Sequence, residues 1–335
     1  MKILGISAFY HDSAAALTVD GKIIAAAQEE RFTRKKHDPS FPLNAVKFCL
    51  RQSGLKIDEL DAVAFYDKPW LKFERLMMTY YMNAPKGFKS FSQAVPVWTK
   101  EKMFLYKIIE DELSSAEQYD KGKLKILFPS HHLSHAASAF FASPYNKSAV
   151  LTIDGVGEWE TASISYGENN NITLLKELNF PNSLGLFYSA ITYYLGFKVN
   201  SGEYKLMGLA PYGSKKSERT EEYKKKLKEN VIDIKEDGSC WLNQRYFDYS
   251  TGMRMTKNDK WFDLFGIKKR EPEHELTQQH CDFALACQQI TEESVLKMAE
   301  TAKKLTNSDN LCLAGGVALN CVANSKILLS GLFKN

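Results

Sequence analysis

The chain has 335 residues, 44% hydrophobic and 25% charged, proportions that exclude a disordered or fibrous chain and suggest about two domains. Its 44 basic and 40 acidic residues leave a net charge of +4, too even to mark a nucleic-acid or membrane-surface binder. No stretch reaches the roughly 18 apolar residues of a membrane span, the first residues lack a secretion signal's long apolar run, and six cysteines without a CxxC pair fit reduced thiols, so the expected location is cytoplasmic.

Residues 3–17, ILGISAFYHDSAAAL, begin as a β-branched run, break at polar residues and resume as a second apolar run. Asp20-Gly21 then predicts a tight turn into a third strand, KIIAAAQ at 22–28. A helix is expected over Leu43–Gln52 with Pro42 at its start. After it come a strand, DAVAFY at 61–66, and helical material over about 70–118 whose Met77–Met82 cluster reads as helix core. KILFPS at 125–130 and a helix from His132 complete the half.

The order then repeats. Residues 150–164, VLTIDGVGEWETASI, align without a gap on 3–17 at a constant offset of 147, with Ile153 on Ile6, Asp154 on Ser7 and Glu158 on His11. A turn over Gly167–Asn171 leads to ITLLKEL at 172–178, a helix over Leu184–Phe197, a strand in NLCLAGG at 310–316 and a helix over 318–330. The run 213–230 alternates in charge and reads as a solvated surface helix. The expectation is a duplicated α/β fold with subdomains 1–148 and 149–335, an insertion over about 213–275, and a second copy that lacks its final strand and helix.

Such a fold places two tight turns face to face across a cleft. Gly155 and Gly157 can adopt positive φ and bare their N–H groups to phosphate oxygens, and Asp154 could hold a hydrated Mg²⁺. Alone, Asp-Gly-x-Gly is an ordinary hairpin turn. Gly315-Gly316 can let a ring or ribose approach the backbone, although a plain strand-to-helix turn reads as well. SGEYKLMGLAPYG at 201–213 surrounds a possible Glu203–Lys205 ion pair with Gly and Pro, as a binding loop would. His131 and His135 lie four apart and share a helix face that could hold a metal, whereas His132 points elsewhere. An isolated HxxxH reads first as two helix-terminal histidines, and a third ligand must come from elsewhere. His11, in the first turn beside Asp12, can take a proton near neutral pH, and the two are the candidate catalytic residues.

HDSAAAL, EERFTRKKHD (29–38), HHLSHAASAFFAS, TIDGVGEWETASI, KLMGLAPYG and AGGVALNCVAN occur here in the order found in the O-carbamoyltransferases of nodulation-factor and antibiotic-tailoring type, which the whole chain resembles. That family's N-terminal region is similar to the tRNA threonylcarbamoyl-transferase subunit. The resemblance implies a ribonuclease-H-like duplication of the actin-like ATPase and sugar-kinase superfold. It implies that carbamoyl phosphate and ATP give carbamoyl-adenylate in a separate C-terminal domain, which lies beyond this chain. The N-terminal domain then transfers the carbamoyl group to the hydroxyl of a small molecule and releases AMP.

Residue by residue, His131 and His135 match the family's metal pair, with iron the implied metal, and the third ligand is an Asp expected beyond Asn335. His11 matches the residue that helps deprotonate the acceptor. Asp154, Gly155, Gly157, Glu158, Gly315, Gly316 and Asn320 match nucleotide-contacting segments, with Glu203 and Lys205 as further nucleotide-binding candidates. Two other readings stay open: a sugar or acetate kinase, and a non-catalytic nucleotide-binding subunit of the same superfold.

Overall fold

The computed structural model describes residues 1–98 and 104–335, which form two compact units. Met1–Glu74 and Ser92–Ser134 make the first, Arg75–Phe91 and His135–Asn335 the second. Residues 75–91 and 135–148 therefore group with the second unit instead of preceding a cut at 148.

In the first unit, β1 (Lys2–Ser7), β2 (Ala14–Val19) and β3 (Lys22–Gln28) form an antiparallel meander. Asp20 and Gly21, at φ 49° and 78°, make the positive-φ turn that suits the strands' twist. After α1 (Glu30–Thr33) and α2 (Leu43–Ser53), β4 (Ala62–Phe65) returns parallel to β1. The helical stretch divides into α3 (Pro69–Asn83), α4 (Phe88–Val97) and α5 (Leu105–Ala116), with 99–103 outside the described residues. β5 (Ile126–Leu127) pairs parallel to β4, completing the order β3-β2-β1-β4-β5. Alternate strand residues Leu4, Ile6, Ala15 and Leu17 turn inward onto Val46 and Cys49 of α2 and Ile109 and Leu113 of α5, as a strand period of two requires. The buried carboxylate of Glu29 accepts the Asn44 and Ala45 N–H groups at 3.2 and 2.9 Å, capping α2 from outside the helix. Contrary to the expected helix core, α3 buries only Thr79, and Met78, Tyr81 and Met82 are exposed.

α6 (His131–Phe140) leads into the second sheet, where β6 (Lys147–Ile153), β7 (Glu160–Glu168) and β8 (Asn171–Asn179) repeat the meander. α7 (Leu184–Tyr194), α8 (Glu203–Leu209) and α9 (Glu218–Asn230) follow, then a hairpin of β9 (Ile232–Ile234) and β10 (Cys240–Leu242), and α10 (Asn258–Phe265). α11 (Gln278–Thr306) crosses the unit before β11 (Leu311–Ala314) pairs parallel to β6; α12 (Cys321–Ser330) comes last. The order is β11-β6-β7-β8.

The duplication extends to individual pairings. Ile6 faces Ala15 and Leu4 faces Leu17 in the first sheet; 147 residues later Ile153 faces Ala162 and Leu151 faces Ile164. The second-to-third strand register slips between Leu17 and Thr18 in one copy and between Ile164 and Ser165, the same aligned place, in the other. A bulge kept at the same aligned place is a structural feature of the repeat. Strand order and shared register give a duplicated ribonuclease-H-like α/β fold whose second sheet has four strands among the described residues.

Candidate functional site

Each unit brings polar side chains together at the loops that follow its first strand. In the first unit, the β1–β2 connection carries His11 and Asp12, the latter at φ 52°. Asp12 Oδ2 lies 2.7 Å from His11 Nδ1 and Asp12 Oδ1 lies 2.8 Å from His37 Nδ1. Partial burial would raise the Asp12 pKa, but the bonds to His37 and His11 outweigh it and hold the carboxyl below its ordinary value. An ionised carboxylate only accepts hydrogen bonds, so both Nδ1 atoms donate and Nε2 of each ring is left to other partners. His11 is 42% exposed.

In the second unit, the parallel strands β6 and β11 end side by side and are followed by Asp154 and Gly315. Gly315 has φ 87°, and a Cβ there would sit 2.3 Å from Ile153 O, so only glycine lets this turn lie against the end of β6. The next residue, Gly316, donates its N–H to Asp154 Oδ1 at 3.1 Å. Asp154 Oδ2 is 3.5 Å from His135 Nε2. Because α6 is one continuous helix, His131 lies one turn back on the same face as His135. Within the second unit His135 and Asp154 pair a nitrogen with an oxygen, donors that a first-row metal such as iron accepts. Sequence reasoning gave Asp154 to Mg²⁺ and expected the third metal ligand beyond Asn335.

The remaining candidates separate into turn and scaffold. Gly155 and Gly157 are absent from the positive-φ glycines, correcting the expectation of φ > 0 there. Gly157 instead closes the hairpin, donating to Glu160 O at 2.8 Å, while its own carbonyl accepts from Arg75 at 2.9 Å. Glu158 has no solvent exposure. Burial lowers the Arg75 pKa to about 10 against the opposing pull of Glu158 and Glu160, so Glu158 balances a buried guanidinium. Ser183 caps α7 by accepting the Leu186 N–H at 3.0 Å and donates to Gly155 O at 2.7 Å, which brings a helix N-terminus to the turn.

Glu203 accepts from Ser189 Oγ at 2.8 Å and from the Asn200 N–H at 3.0 Å, in place of the expected ion pair with the exposed Lys205. Asn320 caps α12 through the Ala323 N–H at 3.0 Å and exchanges hydrogen bonds with Gln288. His132 is buried. Sequence reasoning missed Arg75 and His37. The first carries no motif, and the second lay inside EERFTRKKHD without an assigned role.

Residues 2–335 match the model of the carbamoyltransferase N-terminus. The chain belongs to the carbamoyltransferase family. Among its relatives in the family, the protein sll1178 of Synechocystis is 52% identical over 99% of this chain and 53% of that protein. The nodulation protein NolNO of Sinorhizobium fredii is 32% identical over 98% of this chain and 43% of that protein. The chain thus spans about half the length of these relatives. Among solved structures, component A of the (R)-2-hydroxyglutaryl-CoA dehydratase of Acidaminococcus fermentans aligns with 100% of the chain and 90% of its own length, at TM-score 0.44 and 14% identity. T. kodakarensis HypF aligns with 97% of the chain and 43% of its own length, at TM-score 0.39 and 13% identity. No helix among the described residues is long and apolar enough to cross a membrane.

Proposed function

We propose that this carbamoyltransferase domain transfers a carbamoyl group from carbamoyl-adenylate to the hydroxyl of a small molecule, an O-carbamoyl transfer. The donor comes from carbamoyl phosphate and ATP, with Mg²⁺, in the remainder of a longer protein. The supporting observation is the His11–Asp12 bond at 2.7 Å, which engages Nδ1 of a partly exposed imidazole and leaves Nε2 to act as the base.

The chemistry follows from that arrangement. His11 Nε2 takes the acceptor's hydroxyl proton as its oxygen attacks the carbamoyl carbon. The carbon–oxygen bond to the phosphate breaks, and AMP leaves with the electron pair. A mixed anhydride already has a good leaving group, so orientation and charge stabilisation dominate the barrier. The Gly155–Gly157 turn beside the α7 N-terminus and the Gly315–Gly316 turn are the segments assigned to the nucleotide. Iron or another divalent metal on the His131–His135 face of α6 would supply Lewis-acid polarisation of the anhydride.

Replacing His11 tests the reading. Asn retains a donor where His Nδ1 stood but has no Nε2. His11→Asn is therefore expected to slow transfer by roughly 10²–10⁴-fold while nucleotide affinity stays unchanged. An undiminished transfer rate contradicts the assignment of the base.

A further inference from the structure

The loop that follows β3 is built against the β1–β2 connection. Ser13 N–H donates to Asp38 O at 3.0 Å, Phe9 N–H to Pro39 O at 2.8 Å, and Glu29 N–H to Ser13 O at 2.8 Å. Glu30 Oε2 accepts the His37 backbone N–H at 2.9 Å. Phe9, Asp12, Arg34 and His37 all have positive φ, a region that residues with a Cβ rarely adopt. Backbone strain of this kind persists where the surrounding structure over-determines it, and it gathers at functional sites.

We propose that His37 is a positioning residue for carbamoyl transfer. Its Nδ1–H holds Asp12 Oδ1, so that Asp12 Oδ2 stays aimed at His11 Nδ1 and fixes His11 in the tautomer whose Nε2 is open to the acceptor hydroxyl. The inference rests on the reading of His11 as the base. Asp12 has two oxygens and uses one for each imidazole. Without His37 the carboxylate is held from one side only and can turn about its Cβ–Cγ bond, and His11 regains both tautomers. Asp12, Glu30 and His37 are also close enough together to be grouped as possible metal ligands. The bonds each already makes, including Glu30 to the His37 backbone, favour the hydrogen-bonded assembly.

Two variants separate positioning from mere structure. Asn places an amide donor where His37 Nδ1 stands and is among the residues that tolerate positive φ, whereas Ala offers no donor. By ¹⁵N NMR of the histidine rings in the 335-residue chain, His11 is expected to be the Nδ1–H tautomer in the wild type and in His37→Asn. In His37→Ala a mixture with the Nε2–H form is expected. In the longer protein, His37→Ala is expected to lower kcat about tenfold with KM for the acceptor unchanged, and His37→Asn to restore most of it, the scale on which partners of a functional imidazole act. An unchanged His11 tautomer in His37→Ala overturns the proposal, as do equal kcat values for the two variants. Selective broadening of the His37 resonances by stoichiometric Mn²⁺ overturns it too, because Nδ1 would then be a ligand. If the wild type transfers nothing, the enzymatic reading fails while the tautomer measurement still decides the role of His37.

Discussion

Gly315 is where backbone geometry bears most directly on the second cluster, and Gly315→Ala probes it. The residue sits at φ 87°, ψ 169°, a region essentially reserved for glycine, where a Cβ costs about 1–3 kcal/mol. That Cβ would also stand 2.3 Å from Ile153 O and 2.8 Å from Ile153 C, and forcing apart two packed backbone segments adds about 1–3 kcal/mol. Spread over an unfolding entropy of about 0.7 kcal/mol/K for a chain of this length, a loss of about 2–6 kcal/mol lowers Tm by about 3–9 °C. Gly266 supplies the control: it has φ 69°, but a Cβ there meets nothing within 4 Å, so Gly266→Ala bears only the conformational cost of about 1–2 kcal/mol. Differential scanning calorimetry of both variants reads the contrast. Equal or reversed Tm shifts would refute the claim that the Gly315 turn is wedged against the end of β6.

Arg75→Met removes the cation beside the fully buried Glu158 and is expected to cost about 3 kcal/mol in urea unfolding, with much of it recovered in Arg75→Met/Glu158→Gln. A harmless Arg75→Met shows that the guanidinium does not support the turn. His135→Ala and Asp154→Asn should each weaken Co²⁺ binding by about 10–100-fold, read from its visible absorption; unchanged spectra remove these residues from the ligand set. Hydrogen bonds from Ser40 and then Thr33 hold Asp38 down from 3.8 to about 2. Its contribution to stability is therefore present above about pH 4 and lost as pH falls toward 2. Acid titration of Asp38→Asn should show a shallower stability loss across that window, and an identical curve contradicts the role assigned to these bonds.

The repeated half of the fold was legible because its signal is local. Strand runs, Asp20-Gly21 and the offset of 147 are properties of neighbouring letters, and they placed β3 at 22–28 as observed, β8 to within a residue and the start of β6 to within three. α11 was not legible. Within its first half, every residue of Cys281–Gln288 is buried, including Asp282 and Gln288, so no apolar stripe with helical period stands out. The Met77–Met82 cluster misled for the opposite reason: apolar residues in a helix read as core, yet α3 buries only Thr79. At the sites, the spacing of His131 and His135 announced a shared helix face. Nothing in the sequence brings Asp154 to His135 or Arg75 to Gly157, because those approaches depend on how strands and helices pack. Glu158 and Asn320 were polar residues in the candidate nucleotide segments, and packing turned both inward.

Acceptor-dependent AMP release measures the central chemistry most directly. The longer protein that contains this chain would be given ATP, carbamoyl phosphate and a panel of hydroxyl compounds, with AMP and carbamoylated acceptor quantified together. The proposed reaction predicts one carbamate formed for each AMP released in the presence of a suitable alcohol. Transfer of phosphate to the alcohol with release of ADP, and no carbamate formed, would contradict it.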